Sequence, residues 1–228
     1  MIWSIFSAFY CTAAWANEPI ATVDRPTNGT AAFVVNQGAL QIETGVQVDG
    51  NLTQAGYSTP TMLRIGVHDR IELRPYASLI GYEADLSTFS NPGIQSKIHL
   101  FSKEEQPLAL GLVLGSDMDF DNGAASSTLL LDFWHNAWSG WLNTGITRSY
   151  AGMNDLTGLL IGGIAYALPQ NQGLFVESTD VISQGHNLSI EGGYYKTFSQ
   201  VQVDIYLLKD LSNSNQWQFA TGFAWKFR

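Results

Sequence analysis

Residues 217–228 read Trp217-Gln-Phe-Ala-Thr-Gly-Phe-Ala-Trp-Lys-Phe-Arg228. Trp217, Phe219, Thr221, Phe223, Trp225 and Phe227 fall on one side of an extended chain. Gln218, Ala220, Gly222, Ala224, Lys226 and Arg228 fall on the other. A period of two with large aromatics on one face, and small or charged residues on the other, suits a strand set between lipid and the lumen of a barrel.

Working back from this strand, residues 38–228 break into about twelve segments of roughly eight to twelve residues, each with the alternation of a strand and each bounded by turn residues. Leu40, Ile42, Thr44, Val46 and Val48 alternate with Gln41, Glu43, Gly45 and Gln47. Leu63, Ile65 and Val67 alternate with Arg64 and Gly66, and Ile71, Leu73, Ala77 and Leu79 with Glu72, Arg74, Tyr76 and Ser78. The same rule sets Lys97 opposite Ile98, Asp132 opposite Leu131 and Phe133, Glu177 opposite Val176, Glu191 opposite Ile190, and Asp204 opposite Val203 and Ile205. Around residues 141–147 and 157–168 the alternation weakens, because Gly, Leu and Ile fall on both faces.

Ionic residues in these alternating stretches thus collect on a single side. A Lys or Arg on the lipid face near the bilayer midplane costs about 2–4 kcal/mol, and a one-residue slip would turn a strand's whole charged set outward. Glu43, Arg64, Glu72, Arg74, Tyr76, Lys97, Asp132, Glu177, Glu191 and Asp204 are therefore expected to line the lumen. Turn lengths also alternate. Connections at 68–70, 102–106, 135–138, 169–172 and 198–200 are short, and those at 49–57, 82–92, 116–125, 148–155, 179–187 and 209–216 are longer. A soluble sandwich has no reason to sort its loops every second turn. An antiparallel transmembrane β-barrel with both ends in the periplasm does, with short periplasmic turns and longer extracellular loops.

The other end of the chain is consistent with export. Residues 1–16 are uncharged, apolar and close on Ala14-Trp15-Ala16, which predicts a signal peptide cut before Asn17. Residues 17–37 then form a periplasmic N-terminal segment, a plug or a tail, and Arg25 within it has the reach to pair with a lumen carboxylate. The single cysteine, Cys11, lies in the cleaved stretch, so the mature barrel has neither disulfide nor thiolate metal site. A net charge of −9 argues against a nucleic-acid partner.

Three stretches carry a further likeness: Thr22-Val-Asp-Arg-Pro-Thr27, Gly38-Ala-Leu-Gln-Ile-Glu43, and Leu63-Arg-Ile-Gly-Val-His-Asp-Arg-Ile-Glu-Leu-Arg74. With Phe175-Val-Glu177, Val201-Gln-Val-Asp204 and the closing strand, the chain resembles the outer-membrane transporter-like family named for the meta-pathway of phenol degradation. That resemblance implies an outer-membrane barrel and passage of small solutes, aromatic compounds included. It implies no settled substrate. The terminal strand also resembles the signal by which bacterial outer-membrane barrels engage their insertion machinery, with Arg228 standing after the usual final Phe.

Three functions follow in order of preference. The first is a channel in the bacterial outer membrane in which Arg64, Glu72 and Arg74 form a charged constriction, a lumen salt-bridge cluster, or both. Tyr76, Phe175, Tyr195 and Tyr206 offer it flat surfaces for an aromatic solute. The second is a closed structural or adhesive barrel. The third, a lipid-modifying enzyme, needs a Ser–His pair on the outward face, and His68, His99, His135 and His186 do not supply one by position. No cofactor is implied. The stretch Asp117-Met-Asp-Phe-Asp-Asn-Gly123 spaces carboxylates like the start of a calcium loop, but its twelfth position is Thr128 where a bidentate Glu belongs, so it reads as a solvated acidic loop.

Overall fold

Backbone hydrogen bonds cannot be left unmade in lipid, so a chain whose strands carry one apolar face can cross a bilayer only as a closed barrel. The computed structural model has that form. It describes residues 24, 28–51, 54–82, 88–103, 106–117, 123–150, 156–212 and 216–227. The strands are β1 (Leu40–Asn51), β2 (Gln54–His68), β3 (Ile71–Tyr82), β4 (Thr88–Lys103), β5 (Gln106–Asp117) and β6 (Ala124–His135). They continue as β7 (Trp138–Ser149), β8 (Leu156–Leu168), β9 (Gln172–Ile182), β10 (His186–Phe198), β11 (Val201–Asp210) and β12 (Trp217–Phe227). Each pairs antiparallel with its chain neighbours, and β12 returns to β1, Leu40 opposite Phe227, which closes the barrel at twelve strands.

Burial is inverted relative to a soluble protein. Leu174 and Val176 are each 50% exposed, whereas Phe175 and Glu177 are exposed by 4% and 1%. Arg64, Glu72 and Lys97 are fully buried, although residues of these types are almost never so in soluble proteins unless paired. Every one of the ten sequence-predicted lumen residues faces inward, nine of them buried and Tyr76 half-buried. In the weakly alternating region the inward set is Trp141, Asn143, Ile161 and Ala165, with Leu142, Ile146, Leu160 and Ile164 outward. Replacing outward Ile164 with Arg is expected to lower folding stability in lipid vesicles by about 2–4 kcal/mol. Urea titration followed by tryptophan fluorescence would measure it, and an unchanged midpoint would place Ile164 off the lipid face.

The connections depart from the sequence expectation in extent. The strands run past the apolar belt, leaving only residues 52–53 between β1 and β2 and 183–185 between β9 and β10, where 49–57 and 179–187 were expected as loops. Antiparallel pairs keep their backbone bonds in water as well as in lipid, whereas strict alternation marks only the stretch that lipid touches. At the opposite end the turns are tight. Asn136, Gln170, Asn171 and Ser199 adopt left-handed backbone there, with φ of 55°, 63°, 57° and 51°. This conformation lets a hairpin reverse in two or three residues without splaying its strands.

Candidate functional site

The lumen is occupied by the chain's own N-terminal segment. Starting at β1 and reading backward, Gly38 adopts φ +78° and the chain folds under itself, with Ala39 N donating to Asn36 O at 2.9 Å. Gly66 on β2 fastens this turn, accepting from Gly38 N at 2.8 Å and donating to Ala39 O at 3.0 Å. A Cβ on Gly66 would lie 1.9 Å from Asn36 O, so only glycine allows the approach. Substituting Ala is expected to push the segment off β2 and to destabilise by about 1–3 kcal/mol, the cost of overpacking a fitted site. An unchanged urea midpoint would mean the turn does not sit there.

From that turn the segment runs round the inner wall, and lumen carboxylates catch its backbone amides one strand after another. Val35 N donates to Glu72 Oε2 at 2.7 Å and Ala32 N to Asp132 Oδ2 at 2.7 Å. Thr30 exchanges two bonds with the Asn143 side chain, at 2.7 and 3.0 Å, as a neighbouring strand would. Gly29 N reaches Glu177 at 3.0 Å, and Asn28 reaches Glu177 at 2.9 Å and Glu191 at 3.0 Å. A carboxylate accepting from N–H groups makes a charge-assisted bond of roughly twice the neutral strength. Residues with no side-chain alternation of their own are thereby held in place.

Opposite β9 and β10, Asp24 enters a cluster of three cations. Lys97 Nζ lies 2.9 and 3.0 Å from its two oxygens, Arg64 Nη1 lies 3.8 Å away, and Arg74 Nη2 donates to Oδ2. Glu72 accepts both forks of Arg64, at 2.9 and 3.0 Å, and has Lys97 at 3.5 Å and Arg74 at 3.6 Å. Glu43 takes Arg64 Nη1 at 2.9 Å and Gln41 Nε2 at 2.9 Å. Arg64 and Lys97 also donate to Phe33 O, at 3.2 and 3.1 Å. Among the described residues the cluster comprises Arg64, Arg74 and Lys97 against Asp24, Glu43 and Glu72, three charges of each sign.

The opposite wall is aromatic. Phe175 and Tyr206 meet edge to face at 6.4 Å, with Ala165 and Ala220 beside them and Trp141 and Tyr195 packed against the group. Trp141 Nε1 donates to Glu177 Oε2. Tyr76 crosses the lumen face of Gly93 to Asp117 on β5, where a Cβ at position 93 would lie 2.3 Å from the ring. Between the charged and aromatic walls, beside the segment, lies a cavity of about 240 Å³ bordered by Arg74, Met62, Tyr76 and Tyr206.

Sequence reasoning missed Asp24, the residue at the centre of the cluster, as well as Asn143. Its one signal was the Asp24-Arg25-Pro26 stretch noted for resemblance alone. Arg25 itself, residues 1–16 and the acidic stretch 118–122 lie outside the described residues. The lumen arginines Arg64 and Arg74 are occupied by carboxylates. Among the described buried residues, seven carboxylates face four Lys and Arg. His99 does approach a serine: one ring nitrogen lies 3.0 Å from Ser102 Oγ, the other 3.0 Å from Ala32 O, and the ring stacks on Phe33 at 5.5 Å. These contacts hold the segment at the lumen mouth, away from lipid.

A closed barrel with an apolar exterior and a charged interior has the architecture of an outer-membrane-type transmembrane β-barrel. No protein-family model matches the chain, and no curated protein matches it. Solved structures do. It is similar in fold to an outer-membrane channel from Pseudomonas putida F1, with TM-score 0.67 and 10% identity over 88% of this chain and all of that one (100%). It is also similar to the KdgM porin, with TM-score 0.63 and 10% identity over 82% of this chain and 99% of that one. The NanC porin matches at TM-score 0.63 and 8% identity over 82% and 100%.

Proposed function

We propose that the protein is an outer-membrane channel for diffusion of small solutes, narrowed by residues 28–39 and selective through the charged and aromatic walls around them. The observation that carries this reading is the set of ionised side chains buried inside a barrel whose outside is apolar. Polar lining is what a water-filled path requires and what a solid structural barrel could replace with apolar packing. The similar KdgM porin has been captured in complex with disordered oligogalacturonate, which supports a solute-handling role for a barrel of this fold. Resemblance to the phenol meta-pathway family supports small, including aromatic, solutes, and the Phe175–Tyr206 wall is suited to them. A lipid-modifying activity is disfavoured because the His99–Ser102 pair faces the lumen mouth. The terminal strand is proposed to engage the barrel-insertion machinery.

The test is conductance of the refolded chain in a planar bilayer. Excess lumen carboxylate predicts small cation-preferring openings, read from the sign of the reversal potential under a KCl gradient. A folded but silent barrel would transfer the reading to a closed structural protein. Anion preference would show that the described carboxylates do not set the field.

A further inference from the structure

Resting on the channel reading, we propose that the cavity between the charged and aromatic walls is a binding site for small organic ammonium ions, anchored by the open carboxylate oxygen of Glu43. Glu43 borders the cavity and is only 3% exposed. Its hydrogen bonds from the described residues all fall on Oε1, which accepts from Asp24 N, Gln41 Nε2 and Arg64 Nη1. Oε2 accepts from none of them, yet it is not among the partnerless side-chain atoms sealed from water. The accessible part of this carboxylate is therefore an oxygen in want of a donor. The other polar groups of the lining also have oxygen to offer and little nitrogen. Arg74 Nη2 donates to Asp24 and Nε to Met62 Sδ, Gln47 Nε2 to Tyr206 Oη, and Asn28 Nδ2 to Glu191. Arg74 Nη1 is sealed from water and does not serve the cavity. Thr30 and Ser78 border the space with hydroxyls that accept. An ammonium, with three donors and no acceptor, matches that surplus.

Charge decides between an ammonium and a neutral donor. Two carboxylates, Asp24 and Glu43, and one described cation, Arg74, border the cavity, whereas Arg64 and Lys97 do not. Over the described buried residues the lumen holds seven carboxylates against four Lys and Arg. A cation entering this space is attracted, and on Glu43 Oε2 it makes a charge-assisted bond. A neutral hydroxyl makes the bond without the attraction. An anion would meet Glu43 head on and lose its hydration without a partner. Size and shape set the body of the ion. The 240 Å³ space is the volume of about eight waters, so it takes a solute of roughly eight non-hydrogen atoms. Tyr76 and Tyr206 border it and give an apolar ring, or the cation itself, a flat aromatic face.

Benzylammonium, benzyl alcohol and benzoate share a ring of one size and differ in charge, so they separate these cases. Isothermal titration of the refolded full barrel, in uncharged detergent at neutral pH, should show benzylammonium binding at one site about tenfold or more tighter than either of the others. Glu43→Gln should weaken benzylammonium by about tenfold or more. Because that change also disturbs the ion cluster, a second variant leaves every charge in place: Ser78→Phe fills the cavity and should abolish binding in a barrel with a parental urea midpoint. Benzyl alcohol or benzoate binding as tightly as benzylammonium would overturn the proposal. So would benzylammonium affinity that survives Glu43→Gln or Ser78→Phe. Should neither variant refold, the order of the three ligands on the parent decides. Conductance in the bilayer keeps the two readings apart: conductance without benzylammonium binding sinks the site alone, and benzylammonium binding to a silent barrel sinks the channel alone.

Discussion

Glu72→Ala is expected to be the most destabilising single change in the barrel, costing about 3–5 kcal/mol, the range for removing one partner from a buried ion pair. Glu72 takes both forks of Arg64, lies within 3.6 Å of Lys97 and Arg74, and also accepts Val35 N at 2.7 Å. Its loss leaves Arg64, Arg74 and Lys97 facing two carboxylates, Asp24 and Glu43, among the described residues, all of them buried. The amide of Val35 loses its acceptor as well, so the effect reaches the inner segment. Glu72→Gln keeps the shape and one accepting oxygen and should fall between parent and Ala. Urea titration in vesicles measures both. A cost below about 1 kcal/mol for Glu72→Ala, the scale of an exposed pair, would mean that water reaches the cluster and screens it.

The barrel wall was legible in the sequence because lipid enforces a strict rule. One misplaced Lys or Arg on the outer face costs about as much as a whole marginal strand can bear, so Arg64, Arg74 and Lys97 point to the lumen from parity alone. Strand ends were less legible, since water tolerates both continued pairing and a loop. Between Trp141 and Leu168 the inward positions carry Trp141, Asn143 and Ile161, which a hydropathy pattern does not separate from the outward leucines. The inner segment was legible only as a choice between a plug and a tail. It is held through its backbone, by amides of Asn28, Gly29, Thr30, Ala32 and Val35, and backbone donors leave no mark in a sequence. One indirect sign existed: the inward faces of β2, β3 and β4 bring three cations together, and β1 and β3 answer with only Glu43 and Glu72. A third carboxylate was needed, and Asp24 supplies it from outside the barrel strands.

Asp24→Ala is accordingly expected to change the current and its sign preference together. Asp24 is gripped by Lys97, Arg74 and Arg64, and its Oδ1 also accepts Ala31 N at 3.2 Å, so it ties its arm of the segment, at Ala31, to the cluster. Without the carboxylate that arm loses its anchor, while the stretch from Asn28 to Val35 keeps its own bonds to Glu191, Glu177, Asn143, Asp132 and Glu72. The open cross-section should grow and single-channel conductance rise severalfold. The cluster meanwhile changes from neutral to one net positive charge, so the reversal potential under a KCl gradient should move toward anions. Asp24→Asn separates the two effects, because it removes the charge while keeping an oxygen that can still accept Ala31 N: selectivity should shift as in Asp24→Ala, with a smaller gain in conductance. Should both variants conduct and select like the parent, the segment cannot lie across the conducting path, and the ion cluster would be a brace for the wall alone.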